Sequence, residues 1–238
     1  MVPGAPLATR MRILFVASDR MEFPGLLRRA TAVKPMDLAV DWSRKALLNG
    51  NEAVLIANGV GPARAGTATA TGIEAFRPDA IVSTGFCGAL SPSLRIADLV
   101  AANRIVSGNQ IYSAHPLSGP LSGPIRSIPY VARTAEEKRE MASGGAIAVE
   151  MEAAGVAAEA LCHSIPFYCV RTVTDLLGET LANDFNKALR SDGHFDTMYI
   201  LRVALLHPAT RLPELIRLRK RCILAARALG DFFADNRF

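Results

Sequence analysis

The sequence predicts an α/β fold, a single domain in which helices flank a mixed central β-sheet. Short buried apolar runs alternate along the chain with segments of helical periodicity, which is the pattern of that fold class. The dipeptide Asn49-Gly50 lies between two apolar runs and is a strong hairpin signal, so antiparallel strands are expected beside parallel ones. At 238 residues without a composition break, the chain has the size of one such domain.

In the first half of the chain, short β-branched and aliphatic runs are separated by turn residues such as Gly59, Gly61 and Pro78. These runs predict strands at 13–17, 38–47, 53–57 and 80–84, and helices at 23–30 and 63–76. The second half is predicted to contain, in order, a glycine loop at 85–90, paired strands within 98–106, a long Gly/Pro/Ser-rich loop at 107–127, a solvated helix at 135–141, a strand at 146–149, a helix from Glu152 and a strand at 167–174.

The composition argues against several classes of protein. Half of the residues are hydrophobic, but the longest apolar runs are too short to span a bilayer. Residues 1–10 lack the apolar core of a signal peptide and are expected to form a loose leader before the fold. The four cysteines show neither a C-x-x-C pair nor a metal-ligand spacing. We therefore expect a cytoplasmic protein with reduced thiols and no metal site.

The net charge of +5 is unevenly distributed and is concentrated in a basic helical tail that begins near residue 198. Between residues 198 and 230, seven Arg and Lys residues accompany a single acid, Glu214. One interpretation is contact with an anionic membrane surface. The other, which we favour, is the polar face of a helix whose apolar side packs on the domain. Aromatic residues do not interleave with these cations, so nucleic-acid binding is not expected.

Two carboxylates follow buried strands, where α/β proteins bind their ligands. Glu152 stands between the strand at 146–149 and the next helix, and Asp175 ends the strand at 167–174. Each has a structural alternative, because an acid in the first turn complements the helix dipole and an aspartate can cap a helix. Position alone leaves both alternatives open.

Two glycine-containing segments also follow predicted strands. In the segment from Gly59 to Arg64, backbone N–H groups at a helix start can face an anion or a polar ligand edge. The segment matches neither the dinucleotide fingerprint nor the P-loop. In the segment from Gly85 to Gly88, the glycines allow the backbone to approach a planar base. Either segment can instead be a turn that only packing requires.

Three motifs resemble those of the family-1 nucleoside phosphorylases and nucleosidases: Glu150-Met151-Glu152-Ala153, Arg171-x-x-x-Asp175, and the segment from Ser83 to Leu90. The similarity runs from residue 12 to about residue 192. It is nearest to the methylthioadenosine/S-adenosylhomocysteine nucleosidases and, after Asp175, to the hopanoid-associated branch. The resemblance implies a nucleoside phosphorylase-like three-layer sandwich, a homo-oligomer and no cofactor. It implies an enzyme that cleaves the N-glycosidic bond of a purine nucleoside, with a 5′-modified adenosine as the expected substrate.

The resemblance also implies roles for individual side chains. Asp175 would protonate N7 of the leaving purine, because a protonated base leaves without a negative charge. Glu22 would position and deprotonate the attacking water, and Glu152 would accept hydrogen bonds from the ribose 2′ and 3′ hydroxyls. Arg171 is expected to orient a neighbouring carboxylate. Further substrate contacts are expected from Gly61, Phe86, Cys87, Gly88, Glu150 and Met151.

Two alternatives stay open. A phosphorylase would need cations for its phosphate co-substrate, and Arg20 and Arg64 are the candidate ligands. The strand at 81–84 lacks the arginine that is common in the phosphorylase relatives, so water is the expected nucleophile. A catalytically silent nucleoside-binding protein would retain Glu152 without needing Asp175 and Glu22.

Overall fold

The fold is described for residues 10–235 from a computed structural model, so the predicted leader lies outside the described residues except for Arg10. The strands are β1 Arg12–Ala17, β2 Thr31–Pro35, β3 Trp42–Leu48, β4 Asn51–Ala57, β5 Ala80–Ala89, β6 Leu99–Ser107, β7 Gln110–Ser113, β8 Leu121–Ser127, β9 Ala148–Glu150 and β10 Phe167–Asp175. The helices are α1 Pro24–Arg29, α2 Pro62–Phe76, α3 Ala135–Ser143, α4 Ala153–Cys162, α5 Phe185–Ala188, α6 Thr197–Leu206 and α7 Pro208–Asp235, and a 3-10 turn covers Arg20–Glu22.

All of these strands belong to one mixed sheet, which confirms the predicted fold class. β1 pairs in parallel with β4 and β5, and the hairpin at Asn49-Gly50 joins the antiparallel strands β3 and β4. β10 pairs with both β5 and β6, and β8 and β9 complete the circuit back to β5. One part of the sheet therefore closes into a five-stranded ring, while β1, β4, β3 and β2 extend from β5 as an open sheet.

Alternating side chains of β1 pack against different helices on the two faces of the sheet. Leu14 and Val16 belong to a core shared with α2 and α4, whereas Ile13 and Phe15 belong to a core shared with α1 and α7. Successive strand residues point to opposite faces, so burial on both faces requires the continuous apolar run that the sequence shows. The predicted arrangement of helices on both sides of the sheet is confirmed.

The loop expected at 107–127 is wrong for most of its length. Residues 110–113 form β7, which pairs antiparallel with β6, and residues 121–127 form β8, which pairs in parallel with β6, so that a loop remains at 114–120. Gly108, with a φ of 56°, makes the turn between β6 and β7. Pairing with β6 satisfies the backbone of these polar, glycine-rich segments without an apolar pattern in the side chains. The periodicity that identifies strands is therefore absent here.

Two further expectations need correction. The predicted glycine loop at 85–88 is part of β5, which continues in register with β10 through Gly85, Phe86 and Cys87. The strand predicted at 38–47 begins only at Trp42, and β2 was not predicted.

The basic tail folds into α6 and α7. Its apolar side packs as expected, with Ala225 and Ala226 buried, while the arginines and Lys220 are mostly exposed. The lone acid, Glu214, is buried and accepts hydrogen bonds from the backbone N–H groups of Ala182 (2.7 Å) and Asn183 (2.9 Å). Among the described residues, no helix has the combination of length and hydrophobicity that a membrane span needs.

Candidate active site

A cavity of about 360 Å³ opens where β1, β4, β5 and β10 end, the position expected for a ligand site in an α/β sheet. It is lined by residues 18, 19, 21 and 22 after β1, 59 and 60 after β4, 86–88 of β5, 149–152 around the start of α4, 174 and 175 of β10, and by Tyr130, Val131, Ala132, Leu181, Phe185, Gly193, His194, Phe195, Ile200, Leu218 and Cys222. The structure thus brings together Glu22, Glu152 and Asp175, which lie far apart in the sequence.

Glu22 is almost fully buried in the 3-10 turn after β1. Its Oε2 accepts hydrogen bonds from the backbone N–H (2.9 Å) and hydroxyl (3.1 Å) of Ser18 and from the N–H of Asp19 (3.1 Å). Its Oε1 accepts one, from the N–H of Phe86 (2.9 Å). Burial raises the pKa of Glu22, while Arg171 and these N–H donors oppose the increase. Oε1 is the oxygen that retains room for a further donor such as water.

Arg171 is fully buried beneath the cavity floor. It donates hydrogen bonds to the carbonyl oxygen of Thr84 (2.9 Å), the hydroxyl of Ser83 (2.7 Å) and Oε2 of Glu150 (2.5 Å). Its Nη1 lies 3.7 Å from Oε2 of Glu152. The guanidinium group therefore positions carboxylates, as expected.

The side chains of Glu150 and Glu152 accept hydrogen bonds from different parts of the backbone. Oε2 of Glu150 accepts hydrogen bonds from the N–H groups of Glu152 (2.9 Å) and Ala153 (2.8 Å), so Glu150 caps α4. Glu152, the N-cap residue of α4, makes no side-chain cap bond and instead accepts a hydrogen bond from the N–H of Gly61 (3.2 Å). The segment containing Gly61 thus forms part of the site wall. Glu150 also lines the cavity, while its Oε2 is bonded to the start of α4 and to Arg171. Its contact with substrate stays a prediction.

Burial raises the pKa of Glu152 to about 8, and the neighbouring carboxylates of Glu150 and Glu22 act in the same direction. Arg171 and the N–H of Gly61 oppose this effect. A carboxyl group with this pKa takes up or releases a proton near neutral pH. Its two oxygens can bond a vicinal diol in either form.

The two glycines of β5 are required by the acids that pack against them. At Gly85, whose φ is 139°, a Cβ would lie 2.4 Å from Oε1 of Glu22 and 2.7 Å from Nη1 of Arg171. At Gly88, a Cβ would lie 2.9 Å from Oδ2 of Asp175. All three distances are shorter than Cβ contacts allow, so glycine lets the strand and the carboxylates approach each other.

Asp175 ends β10, and its side chain is 15% exposed. No helix of the described chain starts at Asp175, so the capping alternative is not realised. Its Oδ2 accepts a hydrogen bond from the ammonium group of Lys138, and its Oδ1 accepts one from the hydroxyl of Thr174 (3.2 Å). Burial raises the pKa of Asp175, while Lys138 opposes the increase.

Lys138 corrects the expectation that α3 is a solvated helix, because this lysine has no exposed surface. A signal was present in the sequence: Ala135, Lys138 and Met141 recur every three residues and form the buried face of α3. A lysine in a buried stripe needs a partner, and the sequence did not identify Asp175 as that partner.

The two candidate phosphate ligands do not line the cavity. Arg20 is exposed on the 3-10 turn. Arg64 donates to the carbonyl oxygen of Asn58 (2.5 Å) and pairs with Asp41 (3.2 Å). Both cations thus lie outside the wall that faces a bound ligand.

Most of the remaining wall is apolar and comes from the last third of the chain. Phe185 and Phe195 contact each other edge-to-face at 6.0 Å, and Ile200 of α6 and Leu218 of α7 complete this side. The sequence did not indicate these residues, because an aromatic or aliphatic residue at helical spacing looks the same in a core and in a ligand pocket. Phe86, Cys87, Gly88 and Met151, which were expected to contact substrate, line the cavity.

Comparison with known proteins agrees with this architecture. The profile of the phosphorylase superfamily matches residues 44–131 and 117–193. The chain belongs to this superfamily. Among curated members, a 5′-methylthioadenosine/S-adenosylhomocysteine nucleosidase of Geobacillus kaustophilus is 28% identical over 183 residues, which cover 62% of this chain and 77% of the relative.

Solved structures of the superfamily share the fold over nearly the whole chain. The S-adenosylhomocysteine nucleosidase of Streptococcus pyogenes, in complex with 5-methylthiotubericidin, has a TM-score of 0.72 at 18% identity, covering 97% of this chain and 99% of its own. The corresponding enzyme of Helicobacter pylori, with butyl-thio-DADMe-Immucillin-A, also has a TM-score of 0.72 at 18% identity, covering 95% and 99%. The predicted nucleoside phosphorylase-like fold is confirmed.

Proposed function

We propose that this protein hydrolyses the N-glycosidic bond of adenine nucleosides that carry a substituent at the 5′ position. Its curated relatives are named as 5′-methylthioadenosine/S-adenosylhomocysteine nucleosidases. The observation that carries the proposal is the convergence of Glu22, Glu152 and Asp175 on one cavity. These acids supply the three functions that the reaction needs: a base for water, a ligand for the ribose diol and an acid for the leaving group.

In the proposed reaction, Glu152 holds the ribose hydroxyls next to the N–H of Gly61. Asp175 gives a proton to N7 of the purine as the glycosidic bond breaks, so the base departs as a neutral molecule. Glu22 accepts a proton from the water that attacks C1′, using Oε1, whose other contact is the N–H of Phe86. Phe86 and Met151 provide apolar surface for the nucleoside.

Water is favoured over phosphate because the charged wall of the cavity is acidic. Asp19, Glu22, Glu150, Glu152 and Asp175 line it, and within the described residues its one basic side chain is His194. A phosphate dianion would meet like charges there, whereas a neutral water would not. Arg171 lies below the wall and is already bonded to Glu150, Ser83 and Thr84.

The apolar wall supports a hydrophobic 5′ substituent. Phe185, Phe195, Ile200 and Leu218 offer this surface on one side of the cavity. A methylthio group would contact a part of this surface. A larger lipid substituent, as the hopanoid-associated resemblance suggests, would contact more of it. Contact with an anionic membrane surface and self-association stay predictions from the sequence.

Release of the free purine base tests the proposal. Purified protein is incubated with methylthioadenosine, S-adenosylhomocysteine, adenosine and inosine, with and without phosphate, beside D175N. We expect phosphate-independent release from the 5′-modified adenosines, with kcat lowered about 10²- to 10⁴-fold in D175N. Release that requires phosphate would support the phosphorylase alternative. Binding without release, including from an adenosine with a bulky apolar 5′ group, would support a silent binding protein.

A further inference from the structure

Lys138 is a buried cation that the proposed reaction leaves without a role. It lies in the middle of α3 with no exposed surface, on the face that packs against the loop after β10. Burying a lysine is costly unless its charge is paired and each N–H is bonded. A neutral side chain would pack there at lower cost, so the charge itself requires an explanation.

The surroundings of Lys138 match an ammonium group with three donors. Its Nζ donates to Oδ2 of Asp175, to the carbonyl oxygen of Leu176 (3.0 Å) and to the carbonyl oxygen of Glu179 (3.3 Å). All three acceptors belong to the end of β10 and the turn that follows. The ammonium group therefore holds Asp175 and the next turn in one arrangement.

The two oxygens of Asp175 have different surroundings. Oδ2 faces Lys138 and lies against Gly88, where even a Cβ would approach it to 2.9 Å. Oδ1 has a single long contact, with the hydroxyl of Thr174 (3.2 Å). The other titratable groups that interact with Asp175 are Cys87 of β5, Glu179 of the turn, and Arg221 and Cys222 of α7.

We propose that Lys138 is a positioning residue for catalysis, which binds Oδ2 of Asp175 and leaves Oδ1 to serve the purine. This inference rests on the proposed function. In the step, the proton on the carboxyl group of Asp175 moves to N7, and the electrons of the C1′–N9 bond move into the purine. The carboxylate that remains is balanced by the ammonium group already next to it.

Lys138 also makes Asp175 a stronger acid than burial alone would allow. A general acid must be protonated, so the rate falls as the pH rises through its pKa. Lys138 lowers this pKa against the effect of burial. Removing its charge should raise the pKa of Asp175 and move the alkaline decline of kcat/KM to higher pH, by about 1–3 units.

The first experiment compares pH profiles of adenine release for wild type, K138M and K138R. We expect the alkaline limb to move upward in K138M and to stay near the wild-type position in K138R, which keeps the charge. R221M is the comparison variant, because Arg221 bonds Glu179 and the carbonyl oxygen of Thr174 without touching the carboxylate of Asp175, so we expect a smaller movement of the limb than in K138M. A uniform loss of activity in K138M with an unmoved limb would indicate a purely structural lysine and overturn the proposal.

A second measurement does not depend on activity. The ¹³C carboxyl signal of Asp175, assigned by its loss in D175N, is titrated in substrate-free wild type and K138M. A higher midpoint in K138M supports the proposal, and equal midpoints overturn it. Wild-type protein that releases no adenine would contradict the proposed function, while this titration would still decide whether Lys138 controls Asp175.

Discussion

Two buried cations lie behind the cavity, and they face different numbers of acids. The Arg171 cluster consists of Arg171 with Glu22, Glu150 and Glu152, so one cation serves three carboxylates. At the other site, Lys138 pairs with the single carboxylate of Asp175. Both sites are buried and hydrogen-bonded, so burial alone does not distinguish them.

The balance of charges differs between the two sites. In the Arg171 cluster, burial raises the pKa of Glu152 to about 8, and the carboxylates of Glu150 and Glu22 add to this effect while Arg171 opposes it. At Asp175, burial also raises the pKa, and the charge of Lys138 opposes the increase. Burial thus acts in the same direction at both sites, and the number of carboxylates for each cation is what distinguishes them.

The largest expected effect is the loss of stability when either buried cation is removed. It also tests whether the number of carboxylates around each cation sets the cost of its removal. R171M leaves three buried carboxylates without a cation, and we expect it to lower the free energy of unfolding by about 3–5 kcal/mol. K138M leaves one carboxylate without a cation, and that group can take up a proton, so we expect a smaller decrease in the free energy of unfolding. Urea denaturation monitored by circular dichroism measures both.

The matched control for these two variants is R221M. Arg221 and Glu179 form an ion pair that is partly open to solvent, so we expect a loss of at most about 1 kcal/mol. Equal losses in R171M and K138M would show that the number of stranded acids does not set the cost.

The pH dependence of stability tests the Arg171 cluster alone. The pKa of Glu152 rises from 4.5 to about 8 on folding, so the native state holds a proton that the unfolded chain releases. Stability from this group is complete below about pH 4.5 and is lost as the pH rises to about 8. E152Q should therefore lose stability less steeply across that window, by at most about 1.4 kcal/mol per pH unit. Parallel curves for E152Q and wild type would contradict the raised pKa.

The smallest expected effect concerns the space beside Asp175. In G88A the new Cβ would lie 2.9 Å from Oδ2 of Asp175 and 3.2 Å from Val149, so the carboxylate must shift by a few tenths of an ångström. We expect kcat to fall about 10-fold with little change in the melting temperature. G66A, in α2, is the control, since its Cβ would make ordinary contacts with α4 at 3.7 Å or more. Unchanged kcat in G88A would show that the position of Oδ2 is not critical.

Part of the site could be located from the sequence pattern. β10 and the segment before α4 have continuous apolar runs that end at polar residues, so Glu152 and Asp175 could be placed at the ends of elements, whereas Glu22 was indicated only by the family resemblance. Because these ends lie at the sheet edge where α/β proteins bind their ligands, acids at these positions were expected to lie close together. The roles of these acids stay predictions until the variants are measured.

The rest depended on contacts between distant segments. Lys138 lies in a helix that reads as solvated, and only the packing of α3 against the turn after β10 reveals its partner. Gly85 and Gly88 read as a loop, because the need for glycine arises from Glu22 and Asp175 on other elements. β7 and β8 are held mainly by backbone pairing, which leaves little trace in side-chain periodicity.

The C-terminal helices contribute cavity residues that are separate from the acids. Ile200 and Leu218 line the cavity from α6 and α7, while the acids belong to the sheet and its adjoining turns. Glu214 holds α7 to the backbone at Ala182 and Asn183, independently of the residues that line the cavity. We therefore expect substitutions at Ile200 and Leu218 to leave the acids in place. If the proposed function holds, a combinatorial library confined to these two positions would be a direct route to new substrate preferences.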